Sequence, residues 1–383
     1  MSVFTNRPAL RWLVPVAAAA VVIGGGAAIG TLSANAEPAL PPRSAAQLLV
    51  DLQTAQVEGF SGTVVQRADL GLPALAGIAG SGSSDLTALA SGTHTLRVWY
   101  AGPDKARVAL LGTLGESDIV RNGADVWTWR SQSNEATHHR LPAALAGDEA
   151  GHTGGSGPAG LPSTPQEAAD RALAAIDPST EVTVGRSATI AGRDAYELVL
   201  QPRDAASLVG QVRIAIDAEE HLPLRFELFA EGSEEPAFEL AFTQVDFNRP
   251  GDSQFTFNPP PGTKVTESTG DRTARKPHDS GPAADSPTTV GTGWTTVLVG
   301  RVPAELAAGK LPAADGGAQP GNPLGSADVL GNLLGSFPKV SGDWGSGRLF
   351  TTKLVNVLLL DDGRVLAGAV TPQRLYEVAA VPR

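Results

Sequence analysis

The chain holds six histidines and no cysteine. Without thiols there can be no disulfide, no thiolate metal site, no cysteine nucleophile and no lipid attached through an N-terminal cysteine. His138 and His139 are adjacent, and successive strand side chains leave on opposite faces, so the two cannot chelate one ion. His94, His152, His221 and His278 have no partner at ligand spacing, and no metal is expected. Asp361-Asp362-Gly363 opens like a calcium loop but lacks the alternating oxygen ligands and the closing Glu, so it reads as a hairpin turn. Glu219-Glu220 and Glu234-Glu235 fall in turn-like stretches and read as solvated charge rather than as the paired carboxylates of glycoside chemistry. Gly155-Ser156-Gly157-Pro158-Ala159-Gly160 spells GxGxxG. No strand precedes it and a proline interrupts it, whereas a dinucleotide site needs a strand–turn–helix that aims the helix N-terminus at the pyrophosphate. There is no P-loop, G-x-S-x-G or HExxH, so neither an enzyme nor a cofactor is expected. Trp127 and Trp129 share one strand face; two rings side by side suit the wall of an apolar cavity or an ordinary core.

The elements that would position such a wall run from Asp194 to Asn258. The runs YELVLQP, QVRIAID, PLRFELFA, AFELAFTQVDF and FTFNPPPG alternate apolar and polar residues, the period of a half-buried strand. Tyr196, Leu198 and Leu200 share a face, as do Val212, Ile214 and Ile216, Leu224, Phe226 and Leu228, and Phe238, Leu240 and Phe242. Short turn-like connections predict antiparallel neighbours. The result is one sheet with a greasy and a wet face. Upstream, Ser44 caps a helix with Leu48, Leu49, Leu52 and Ala55 on one stripe. FSGTVVQRADLG is a strand, and LPALAGIAGSGSSDLTALAS is either a lid over the greasy face or a surface loop. THTLRVWY, KARVALL, SDIVR, DVWTW and EATHHRL follow as strands, with a type I′ hairpin expected at Asn122-Gly123. Trp99 opposes Leu96, Val98 and Tyr100, a sign of a sheet covered on both sides. Thr164-Pro165-Gln166-Glu167 opens a second helix with a capping box.

The net charge of −11 and the scattered basic residues argue against a nucleic-acid partner. Residues 1–36 read as a signal peptide or single-pass anchor: Arg7 and Arg11 flank an apolar run at 12–32, and Ala34-Asn35-Ala36 offers a cleavage site. Retention of 12–32 as an anchor is the first reading, since the run reaches the roughly 20 residues a span needs, and cleavage after Ala36 is the alternative. Either way the remainder sits outside the cytoplasm. A domain at 44–267, a disordered linker at 268–292 and a small C-terminal α+β unit at 293–383 complete the plan.

Ile214-Ala215-Ile216-Asp217, Pro223-Leu224-Arg225, Phe242-Thr243-Gln244-Val245-Asp246-Phe247 and Phe255-Thr256-Phe257-Asn258-Pro259-Pro260 follow one another in this order. From Ser44 to Thr266 the chain resembles the LolA-like outer-membrane lipoprotein carriers and their relatives, the MucB/RseB regulators and the mycobacterial lipid-binding lipoproteins, in an actinobacterial form. The resemblance implies an α+β fold: a strongly curved antiparallel sheet, an unclosed half-barrel, with helices packed on its concave face. It implies non-enzymatic binding of acyl chains in that concavity, the partner being a lipid or an acylated protein. The expected lining is Leu198, Leu200, Ile214, Ile216, Leu224, Phe226, Leu228, Phe238 and Leu240 with Trp127 and Trp129, and the expected lid carries Leu72, Leu75 and Ile78. The unit after Gly293 is a departure from simple carriers. MucB/RseB regulators have a second domain that touches a membrane anti-sigma factor, so an envelope sensor that binds a membrane protein is the alternative reading.

Overall fold

A computed structural model describes residues 38–71, 89, 91–113, 115–141, 178–268, 288–302 and 337–381. The expected export segment, the lid residues Leu72, Leu75 and Ile78, and the helix opening at Thr164 lie outside them. Among the described residues no helix is long and apolar enough to cross a membrane.

Helix α1 (Ala45–Thr54) starts at Ser44, whose side chain accepts from the Gln47 backbone while the Gln47 side chain accepts from the Ser44 backbone, a closed capping box. Then come β1 (Phe60–Asp69), β2 (Ser91–Tyr100), β3 (Lys105–Gly112), β4 (Gly115–Asn122), β5 (Asp125–Arg130), β6 (Glu135–Arg140), β7 (Thr180–Val184), β8 (Ala188–Ile190), β9 (Arg193–Pro202), β10 (Val209–Asp217), β11 (Pro223–Ala230), β12 (Pro236–Asp246) and β13 (Lys264–Ser268). These form one long, curved, unclosed sheet in the order β13-β6-β5-β4-β3-β2-β1-β12-β11-β10-β9-β7, with β8 also on β9. Hairpins account for most neighbours. The long-range closure is β1 against β12, which joins the two meanders.

That junction is irregular. The register slips between Thr63 and Val64, and at Gly62 a Cβ would stand 2.5 Å from the Gln244 carbonyl oxygen and 2.8 Å from the Phe242 ring. Only glycine lets the two backbones approach there. Between β4 and β5 the strands pair up to Asn122 and Asp125, so the loop is Gly123-Ala124, with Gly123 alone at positive φ (62°); the turn lies one residue beyond the expected Asn-Gly. The FTFNPPPG run is not a strand. Asp252–Phe255 forms a short 3₁₀ turn and the prolines after it have no amide to give a ladder. The chain rejoins the sheet as β13, parallel to β6 at the edge of a sheet that the resemblance implied to be antiparallel.

A second sheet holds β14 (Thr288–Val290), β15 (Val297–Arg301), β16 (Lys339–Gly342), β17 (Gly345–Thr351), β18 (Asn356–Leu360) and β19 (Arg364–Gly368), in the order β14-β15-β19-β18-β17-β16. Its β18–β19 hairpin turns at Asp361-Asp362-Gly363, and β14 lies within the stretch read as linker. Helix α2 (Pro372–Ala380) buries Leu375, Val378 and Ala379 against Leu358, Leu366 and Val297. Of the two helices described, α2 serves this sheet and α1 packs at one end of the long one; helices packed along a concave face are not seen among the described residues.

Candidate functional site

Directly opposed residues of antiparallel strands share a face, so the register traces each face across the long sheet. From Leu198 it passes to Ile214, Phe226, Leu240, Gln66 and His94. A parallel row passes from Leu200 through Val212, Leu228 and Phe238 to Ala68. The same face continues through Val64 to Leu96 and Leu110. The alternation thus sets Leu198, Leu200, Ile214, Ile216, Phe226, Leu228, Phe238 and Leu240 on one apolar face.

Two parts of the chain cover it unequally. At one end α1 lays Leu48 into a buried cluster with Tyr196, Leu198 and Ile216. The Tyr196 hydroxyl donates to the Pro41 carbonyl at 2.9 Å and so holds the approach to the helix. At the other end the second sheet contributes Leu354, Trp294 and Ala369 to a cluster with Val209, Val212, Leu200, Ile214, Phe226 and Leu228. Backbone bonds fix this contact: Leu208 N–H to the Ala369 carbonyl, Thr371 N–H to the Ala206 carbonyl, and Lys353 N–H to the Leu70 carbonyl. The Trp294 indole donates to Thr180 Oγ1 at 2.8 Å, and Lys353 Nζ pairs with Asp69 at 2.6 Å. Leu200, Ile214, Phe226, Leu228, Phe238 and Leu240 remain only half-buried. They form an apolar strip between the two covers.

Three residues expected on this face are elsewhere. Trp127 and Trp129 oppose Val120 and Asp118, a row leading to Ala109 and Arg97, on the other side of the sheet. There Phe257 lies 5.2 Å from Trp127 and 6.2 Å from Trp129, and Phe255 is buried. The two tryptophans are half-buried against Phe257 on the far side of the sheet, not on the strip. Trp99 lies on that side too, between the Arg97 and Arg107 guanidinium groups. Leu224 packs with Ile190, Ala195 and Ala215 on the same opposite side. The cause is a bulge: Arg225 opposes Ala215 and Pro223 opposes Ile216, so β11 carries one extra residue there and the side-chain alternation is reset.

The wet face carries charge. Asp217 is fully buried; Arg193 Nε and Nη2 both donate to it, the latter at 2.9 Å, and it accepts from the backbone amides of Glu219 and Glu220. Burial pushes its pKa up, but Arg193 and the two amides outweigh that and hold it below the ordinary carboxylate value. Glu227 faces Glu239 across the strands and lies near Glu197. Burial above all, then those carboxylates, raise its pKa, with Arg225 opposing. His138 stacks on Trp127 at 4.2 Å, its ring nitrogens 2.8 Å from Glu267 and 2.9 Å from Asp125, while His139 sits on the opposite face beside Val126. No cluster of metal-ligating side chains occurs among the described residues.

Compared with known proteins, residues 88–261 match the MucB/RseB N-terminal domain family. Among curated proteins there is no match. Similar solved structures include the Pseudomonas aeruginosa MucA/MucB complex, at 15% identity over 88% of this chain and 96% of that one with a TM-score of 0.41. A LolA-superfamily protein from Nitrosomonas europaea is 14% identical over 56% of this chain and 99% of its own, with a TM-score of 0.21.

Proposed function

We infer that this chain, which matches the MucB/RseB N-terminal domain family over residues 88–261, is a non-enzymatic extracytoplasmic protein that binds acyl chains on the half-buried strip. The residues proposed to touch the chain are Leu200, Ile214, Phe226, Leu228, Phe238 and Leu240, with Leu198 and Ile216 closing the end beneath α1. The observation that carries the reading is the row of large apolar side chains left half-buried on β9–β12, directly behind which the same strands carry Glu197, Arg213, Glu227 and Glu239. Each CH₂ transferred from water contributes ~0.8 kcal/mol, so a chain of about 14 carbons offers on the order of 10 kcal/mol before ordering costs. The division into an export segment or anchor at 1–36, a binding domain at 44–267, a linker at 268–292 and a C-terminal unit at 293–383 is part of this proposal.

The test is native mass spectrometry with lipid extraction on residues 37–383 expressed through an export pathway. Acylated species should co-purify and be lost in Phe226→Asp and Ile214→Asp. A well-folded protein of clean apo mass refutes lipid binding.

One observation favours a second role. Leu354 and Trp294 of the C-terminal unit belong to the same apolar cluster as four of the strip residues, so an occupant that repacks this cluster alters how that unit is held. This suits a sensor that reports occupancy to a membrane protein, an anti-sigma factor being the kind of partner the family suggests. Cross-linking in intact membranes, with and without Leu354→Asp, tests it; a set of membrane partners indifferent to that change refutes the coupling.

A further inference from the structure

Beyond Leu240 the row that carries the strip ends in two polar residues, Gln66 and His94. Gln66 stands on it between Leu240 of β12 and His94 of β2, with Val64 and Ala68 before and after it on the same face. Its side chain has no exposed surface. Nε2 donates to the Leu89 carbonyl at 3.0 Å, which fixes the amide orientation, and Oε1 is left buried with no hydrogen-bond partner. The neighbouring imidazole of His94 uses Nε2 elsewhere: it contacts the Ser91 carbonyl at 2.8 Å and must donate there. A buried acceptor without a donor is disfavoured, and native proteins hold few of them. A leucine at this position would continue the strip.

We propose that Gln66 Oε1 is a specificity determinant of the strip, selecting acyl ligands that carry a hydrogen-bond donor, a hydroxyl or an amide N–H, over plain chains. The inference rests on the acyl-binding reading above. A hydroxyl or amide N–H entering beside Leu240 satisfies the orphan oxygen. A methylene leaves it unpaired, and an ester or carboxylate oxygen is repelled by it. A hydrogen bond made in water-free surroundings to a group otherwise unpaired gives about a fivefold to tenfold preference.

The experiment is a competition on residues 37–383 among equimolar methyl stearate, a hydroxylated methyl stearate and stearamide, with bound species counted by native mass spectrometry. The wild type should take one or both donor-bearing probes about fivefold or more over methyl stearate; the hydroxylated ester winning points to a donor along the chain, stearamide to an amide linkage. Gln66→Leu should bind methyl stearate as well as before and lose the preference. Gln66→Met gives the same readout if the branched side chain does not fit. Methyl stearate bound with no preference, or a preference retained in both variants, overturns the role of Gln66 and leaves acyl binding standing. No probe bound by a folded wild type overturns both.

Discussion

Removing the Leu354 side chain should loosen the contact between the two sheets before it unfolds either. Leu354 is 7% exposed and packs among Val209, Val212, Ala230 and Ala237 of the long sheet. Leu354→Ala deletes three carbons, ~2.4 kcal/mol at ~0.8 kcal/mol per methylene. An uncollapsed cavity adds up to roughly 2 kcal/mol more. A site between two sheets can close part of that void, so about 3 kcal/mol is expected. Two backbone bonds report on this contact alone, from Leu208 N–H to Ala369 and from Thr371 N–H to Ala206. Hydrogen exchange at those amides should accelerate by roughly two orders of magnitude, because 1.4 kcal/mol is a factor of ten in an opening equilibrium. Amides at the centre of β10 and β11 should change far less. Uncovering Leu200, Ile214, Phe226 and Leu228 should also increase uptake of a fluorescent fatty acid. If β10 exchanges as much faster as Leu208 does, the residue supports the whole fold rather than the contact. If neither changes, Leu354 does not hold the two sheets together.

Asp217→Asn should cost about 3 kcal/mol at neutral pH, since it leaves Arg193 without its buried partner. Because the Asp217 pKa is depressed in the folded state, its contribution is complete above the ordinary carboxylate range and is lost as pH falls through the depressed value; denaturant titrations of wild type and variant should converge in acid. Glu227→Gln should act in the opposite sense. The raised pKa means that ionised Glu227 costs stability, a cost that grows as pH rises from the unfolded value through the folded one, so the variant should be the more stable at pH 7 and lose that advantage toward pH 4. Trp129→Phe and Leu224→Ala, on the far side of the sheet, should leave acyl retention unchanged, whereas Phe226→Asp should abolish it; equal losses from all three would place the site elsewhere.

Much of the long sheet is readable from alternation, because period-two patterning fixes which residues of one strand share a face. It correctly groups Leu198 with Leu200, Ile214 with Ile216, and Phe238 with Leu240. It fails where a strand gains a residue against its partner: the step from Phe226 to Leu224 looks regular in sequence, but the extra residue in β11 turns Leu224 away. Nor can alternation say which face of a distant strand matches. Trp127 and Trp129 do share a face, but relating it to that of Phe226 requires the register of five intervening strands. The covers on the strip were legible only in pieces. Ser44 and the Leu48 stripe announce α1, whereas Leu354 lies in a short loop with no pattern of its own, and nothing local shows that it reaches Val212. Gln66 looks like the polar member of an ordinary alternating strand until the register puts it opposite Leu240.

The most direct test of the central claim is to photolabel residues 37–383 with a fatty acid bearing a diazirine in its chain and to map the adducts by tandem mass spectrometry. Acyl binding on the strip predicts adducts concentrated at Phe226, Leu228, Phe238 and Leu240 and competed away by unlabelled fatty acid. Adducts on the Trp127–Trp129 side, or labelling that no competitor reduces, would contradict it.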